Sequence, residues 1–232
     1  MATKTAIVTG ASRGIGRATA LRLARAGYAI VAVARGRDGL AAAARQIEQA
    51  GGTCEIVAAD VGCPEDARRV VEATCARFGG VDLLVNNAGV ALLRSIDQMS
   101  DEEFARTLGA NVEAVFRLCR AVWPTMRAAG GGVIVNVSSL SSVDPFPGFA
   151  VYGACKAWVN LFTQALAAEG RPLGIRVLAV APGAVETDML RGLFPDLPAE
   201  NVLQPDEVAA VIERLASESM APCSGQTIFC RK

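Results

Sequence analysis

The sequence predicts an α/β protein: a doubly wound parallel sheet of seven strands with helices on both faces. Two observations carry this expectation. Short apolar stretches rich in β-branched residues alternate with longer amphipathic ones along the whole chain, which is the pattern of repeated βαβ units. A cluster of glycines in VTGASRGIG (8–16) separates the first apolar stretch from the first helical one.

The elements follow in order. TAIVTG (5–10) reads as the first strand, and a helical pattern over 14–26 follows the glycines. AIVAVA (29–34) is the second strand, 37–50 the second helix and CEIVAA (54–59) the third strand. The helix over 64–78 starts at Pro64, whose missing N–H costs nothing at a first helical position. After VDLLVN (81–86) comes a long helical pattern over 100–129, with Asp101 and Glu102 in its first turn behind Ser100. GVIVNVS (132–138) and IRVLAVA (175–181) bracket a helix over 149–170. PDEV opens the last helix, 205–217, with Asp206 and Glu207 at its positive end, and QTIFC (226–230) is the seventh strand. No linker, change of composition or repeat beyond the βα alternation divides the chain, so residues 1–232 are read as one domain.

Composition narrows the function classes. With 52% hydrophobic and 20% charged residues in 232, the chain has the material for a large buried core. Lys+Arg and Asp+Glu both total 23, so net charge favours neither nucleic acid nor an anionic membrane as partner, and it favours self-association. No apolar run is long enough to span a bilayer, and the N-terminus enters a strand without a signal-peptide core, which predicts a cytoplasmic protein. Seven cysteines without a CxxC pair read as reduced, packed thiols. The chain has no histidine, which removes Ser-His-Asp hydrolysis, Cys-His proteolysis and His-ligated zinc, and no metal site is expected. Acid–base chemistry is left to Tyr, Lys, Cys or a carboxylate.

The glycines admit two readings: a tight turn between strand and helix, or a loop stripped of side chains so that a phosphate can approach the backbone. Their place, directly after the first strand of a doubly wound sheet and opening a helix, is where such folds bind a dinucleotide pyrophosphate. Gly10 then allows the sharp turn, Gly14 the phosphate approach and Gly16 the close packing of helix on strand.

Three further stretches accompany TGASRGIG: NNAG (86–89), then Ser139, Tyr152 and Lys156 as S-x12-Y-x3-K, then PGAVETDM (182–189). With these motifs in this order the chain resembles the short-chain dehydrogenase/reductase family, nearest in look to the 3-oxoacyl-carrier-protein reductases and related carbonyl reductases. The resemblance runs from residue 5 to about 230. It implies a Rossmann-type fold with strand order 3-2-1-4-5-6-7, a nicotinamide cofactor, and hydride transfer between an alcohol and a carbonyl.

On a helix, Tyr152 and Lys156 are i and i+4 and share a face. A free phenol has a pKa of about 10, and a neighbouring ammonium is expected to lower it into a usable range. Ser139, at the end of the fifth strand, would hold the substrate oxygen with its hydroxyl. Ser138, Ser141 and Ser142 lie nearby, and only the 13-residue offset to Tyr152 selects Ser139. Asn111 matches the family's asparagine, which is implied to anchor a water linking Lys156 to solvent.

The resemblance also implies a cofactor set. Ser12, Arg13 and Ile15 complete the glycine turn; Asp60 and Val61 bracket the adenine; Asn87, Ala88 and Gly89 line the ribose side; Pro182, Gly183 and Val185 stand behind the nicotinamide; Thr187 binds its carboxamide or the phosphate. Tyr152 and Lys156 belong to this set too. The second strand ends VAVARGRD, with Ala34 where an acid would take the ribose hydroxyls of NAD and Arg35 next. Two guanidiniums, Arg13 and Arg35, suit a phosphate dianion, so NADP(H) is expected. Asp38 argues the other way but falls further into the following helix.

The substrate is expected between 140–152 and 190–201, both mixing aliphatic and aromatic residues with proline, in a largely apolar and fairly open site. It is read as a small carbonyl or alcohol, with a carrier-protein-linked form as one option because Arg127 and Arg171 stand near helix ends, where dipole complementation explains them equally well. Pairing of the two long helices, with Trp158, Val159 and Phe162 on the contact, would give a homodimer or homotetramer. The competing readings are an NADP-binding regulator or scaffold without turnover, and an epimerase or dehydratase of the wider superfamily.

Overall fold

The computed structural model describes residues 3–232. Its strands are β1 (Thr5–Thr9), β2 (Ala29–Ala34), β3 (Cys54–Ala58), β4 (Leu83–Asn86), β5 (Gly132–Val137), β6 (Ile175–Pro182) and β7 (Thr227–Cys230). They form one parallel sheet in the order β3-β2-β1-β4-β5-β6-β7. The helices are α1 (Gly14–Arg25), α2 (Arg37–Gln49), α3 (Pro64–Phe78), α4 (Asp101–Leu108), α5 (Ala114–Ala128), α6 (Ala150–Gly170), α7 (Asp188–Leu193) and α8 (Pro205–Ala216).

Helices cover both faces, so the central strands read as unbroken apolar runs, and successive side chains enter opposite cores. Val8, Ile30 and Val135 pack with Leu23, Leu40 and Ile212 of α1, α2 and α8 on one face. Ile7, Val31 and Ile134 pack with Val70, Leu118 and Val159 of α3, α5 and α6 on the other. Because β1 lies between β2 and β4, the winding of the chain reverses there, and the carboxyl ends of these strands open the crevice in which such sheets bind ligands.

Local chemistry sets the helix starts. Ser100 and Glu103 form a reciprocal capping box ahead of α4, and ahead of α8 the Glu207 carboxylate accepts from the Gln204 N–H at 2.6 Å, with Pro205 at the first helical position. The pattern over 100–129 is not one regular helix: α4 and α5 are joined by a widened π-helical turn, Gly109–Glu113. The Asn111 side-chain amide donates to the Thr107 carbonyl at 2.9 Å, the acceptor that the Asn111 N–H would use in a regular α-helix. The six-residue α7 was not expected from periodicity; it is started by Thr187, whose hydroxyl accepts from the Leu190 N–H at 3.2 Å.

The expected apolar surface on the long helices needs one correction. Val159 is fully buried against the sheet, because it points inward among Ile134 and Val177. Trp158 does stack on Phe162, with ring centroids 4.5 Å apart, and Phe116 of α5 meets Phe162 edge-on at 6.5 Å. Among the described residues no helix is long and apolar enough to cross a membrane.

Candidate active site

The site is built from the turn after β1. Gly10 and Gly14 take φ values of +65° and +54°, a region costly for residues with a Cβ. A Cβ on Gly16 would overlap the Gly10 carbonyl oxygen and lie 2.5 Å from Asn87 Nδ2, so helix α1 approaches the turn more closely than any side chain allows. The Thr9 hydroxyl accepts from the backbone N–H groups of Asn87 and Ala88, both at 2.9 Å, and Asn87 Nδ2 donates to the Thr9 carbonyl at 2.8 Å. These bonds lock the ends of β1 and β4 together at the point where the winding reverses. Gly39 of α2 serves the same end, since a Cβ there would stand 2.8 Å from that of Ser12.

A cleft of about 1100 Å³ runs along the carboxyl ends of the strands, from Ala34 and Arg35 past the glycine turn to Phe194. Every residue expected at the cofactor lines it except Gly16, which lies behind the turn as a packing residue. Ser12, Arg13, Gly14 and Ile15 contribute from the turn, Asp60 and Val61 from beyond β3, Asn87, Ala88 and Gly89 from beyond β4, and Pro182, Gly183, Val185 and Thr187 from the end of β6 onward. Asp60 Oδ1 accepts from the Gly62 N–H at 3.0 Å. The Thr187 hydroxyl donates to the Val185 carbonyl at 3.1 Å while capping α7. Asp38, in the first turn of α2, stands outside the cleft lining.

The two arginines differ. Arg35 is exposed and has no hydrogen-bond or ion-pair partner among the described residues. Arg13 instead reaches across to α7, where its Nη1 meets Asp188 Oδ2 at 3.1 Å. A cofactor phosphate would therefore find Arg35 free and would have to compete for Arg13.

At the other end, Asn111, Ser139, Tyr152 and Lys156 meet on one wall of the cleft. The neighbouring serines are engaged or turned elsewhere: Ser138 donates to the Lys156 carbonyl at 3.1 Å, and Ser142 to the Ser139 carbonyl at 2.6 Å. Ser139 accepts from the Ser141 N–H at 3.2 Å. Asn111 donates to the carbonyls of Val90 and Thr107, which leaves its Oδ1 buried without a partner among the described residues. A Cβ on Gly89 would lie 2.7 Å from that oxygen and 3.6 Å from Lys156 Nζ, so glycine keeps open the small space that both atoms border.

The expected depression of the Tyr152 phenol is not found. Lys156 Nζ lies 5.7 Å from the Tyr152 ring centroid and donates to the Val137 carbonyl at 2.9 Å. Desolvation pushes the phenol up to about 12, against a smaller lowering by the nearby Ser139 hydroxyl. The same cause lowers the Lys156 ammonium to about 8. Sequence reasoning also missed Arg106 and Asp144, two charged residues on the lining that belong to no motif, and the tie made by Thr9.

The sheet order and the glycine turn at its switch point define a Rossmann-type fold. The short chain dehydrogenase family matches over residues 4–198, and the chain belongs to the short-chain dehydrogenase/reductase family. It is 39% identical over 238 residues to 3beta-hydroxysteroid dehydrogenase 1 of Eggerthella lenta, covering 97% of this chain and 91% of that protein. The crystal structure of 3-ketoacyl-(acyl-carrier-protein) reductase from Brucella melitensis complexed with NADH superposes with a TM-score of 0.92 at 34% identity, covering 99% and 97% of the two chains. L-sorbose reductase from Gluconobacter frateurii, complexed with NADPH and L-sorbose, gives 0.92 at 34%, covering 99% and 95%. Three relatives named for a steroid, a carrier-linked acyl group and a sugar share one scaffold, so the substrate must be argued from the side chains of the cleft.

Proposed function

We propose that this chain is an NADP(H)-dependent reductase of a ketone or 3-oxoacyl thioester. The observation that carries the reading is the meeting of Asn111, Ser139, Tyr152 and Lys156 on a cleft that begins at a side-chain-free glycine turn. The cleft fits a dinucleotide: the turn bares backbone where a pyrophosphate would lie, and the end of β2 offers the unpartnered Arg35 in place of an acid. Arg35, joined by Arg13 once it leaves Asp188, would hold the 2′-phosphate.

The bound nicotinamide supplies the hydride. Ser139 orients the substrate oxygen and stabilises the charge that develops on it. Tyr152 gives its phenolic proton to that oxygen, and the phenolate is reprotonated through Lys156 and a water accepted by the unpartnered Oδ1 of Asn111. Desolvation keeps the Tyr152 phenol protonated at neutral pH, the form in which it can give a proton to a carbonyl oxygen. The aromatic surface of α5 and α6 supports a homodimer through these helices, with a homotetramer as the larger option.

Within one chain, Arg127 and Arg171 close α5 and α6 immediately before β5 and β6, at the edge of the sheet opposite the cleft, so they do not border their own site. The test is loss of NADPH absorbance against ketones, aldehydes, quinones and 3-oxoacyl thioesters, with NADH in parallel. Turnover selective for NADPH is expected. Cofactor binding with no turnover on any of them would replace the reductase by the regulator reading.

A further inference from the structure

We infer that the site takes an uncharged ketone on a flat hydrocarbon body, and not a thioester carried on a phosphorylated or protein-bound arm. This rests on the reductase reading and narrows it to one substrate class.

The first observation is an aromatic wall beside the phenol. Phe149, itself buried, holds its ring 5.2 Å from that of Tyr152, and Phe146 lies 4.5 Å from Phe149. Phe194, arriving from beyond α7, closes the group at 5.6 Å from Phe146 and 6.0 Å from Phe149. Rings from two separate segments thus form one surface at the substrate mouth, with Phe146 still 43% exposed toward a ligand. Such a surface rewards flat apolar bodies by burial and by offset or edge contacts, and it leaves the hydroxyls of a polyol without partners.

The second observation is the charge around that wall. Residues 140–149 carry a single charged side chain, Asp144, and it lines the cleft. Residues 188–201 carry Asp188, Asp196 and Glu200 against Arg191. Arg191 is already engaged, bidentate to Glu186 at 2.6 and 2.8 Å and donating to the Pro195 and Leu197 carbonyls. Arg13 is held by Asp188. A phosphorylated arm or an acidic carrier would approach two segments whose carboxylates outnumber their one arginine, and that arginine is already engaged, an arrangement that repels it. Arg106 of α4, elsewhere on the lining, is the exposed cation it would have to reach instead.

The experiment compares NADPH-dependent reduction of 1-decalone, acetoacetyl-CoA and fructose by the intact chain. The expected result is a kcat/KM for 1-decalone at least about tenfold above either other carbonyl. Phe146→Ala and Phe194→Ala, checked for unchanged melting temperature, should each raise the KM for 1-decalone by about tenfold with a smaller change in kcat. Asp144→Lys should raise kcat/KM for acetoacetyl-CoA several-fold, an effect that salt diminishes. Equal or better use of acetoacetyl-CoA or fructose, or an unmoved KM for 1-decalone in both phenylalanine variants, would overturn the substrate class and leave the reductase standing. No reduction of any carbonyl with either cofactor would overturn the reductase and this inference with it.

Discussion

Replacing Lys156 by methionine should stabilise the cofactor-free protein at neutral pH while abolishing its chemistry. The ammonium is buried, and desolvation lowers its pKa from 10.5 to about 8. At ~1.4 kcal/mol per unit, that shift corresponds to about 3 kcal/mol held against folding while the group is charged in both states. Methionine keeps the length and apolar stem but leaves the Val137 carbonyl without its donor, a loss of about 1 kcal/mol. The expected gain at pH 7 is therefore about 2 kcal/mol. The sign follows from proton binding: between the folded and unfolded pKa values the unfolded chain holds the extra proton, so wild-type stability rises with pH from about 8 toward 10.5. The cost is fully present below pH 8, and the methionine variant lacks this slope. Urea unfolding of both proteins from pH 7 to 10 measures it, with the difference between them cancelling the other titrating groups. If the two stabilities run parallel across that range, Lys156 is not a buried charge and the reasoning fails.

Tyr152→Phe should lower kcat by about 10²–10⁴ while NADPH affinity, followed by fluorescence titration, holds within about twofold; retained turnover would place the proton donor elsewhere. Arg35→Asp should move the NADPH:NADH ratio of kcat/KM toward NADH by about tenfold or more, and an unchanged ratio would remove Arg35 from the phosphate site. Gly16→Ala forces a methyl into the Gly10 carbonyl, so a destabilisation of about 1–3 kcal/mol and weaker cofactor binding are expected, and wild-type melting and affinity would contradict the close packing of α1 on the turn.

The strands were legible because a parallel sheet covered on both faces leaves long apolar runs whose neighbours, glycine or a capping residue, mark their ends. The cleft was legible for a related reason: at Gly10, Gly14 and Gly16 the backbone geometry admits almost nothing else. What escaped depends on contacts between distant parts of the chain. Spacing put Tyr152 and Lys156 on one helix face, but the direction of the ammonium is set by the Val137 carbonyl on β5, which no periodicity contains. Arg13 looked free because its partner, Asp188, stands 175 residues away. The widened turn at Asn111 arises where a side chain takes a main-chain acceptor from the helix, and a hydrophobic pattern carries no trace of that exchange.

The shifts of Tyr152 and Lys156 have one cause and opposite signs, and together they bear on direction. Desolvation favours the neutral form of each group, raising the acid and lowering the base. At pH 7 the phenol is therefore held firmly as a proton donor, while the amine, still mostly protonated, gives up its proton far more readily than an exposed lysine. A reduction needs a protonated phenol at the outset and a nearby group able to resupply it, and both conditions hold here without a histidine. Oxidation of an alcohol would need the phenolate first, which this environment disfavours. The rate of the reverse reaction should accordingly climb with pH through the alkaline range while ketone reduction shows no rising limb near neutrality, and coincident pH profiles for the two directions would contradict the assignment of Tyr152 as the group that exchanges the proton.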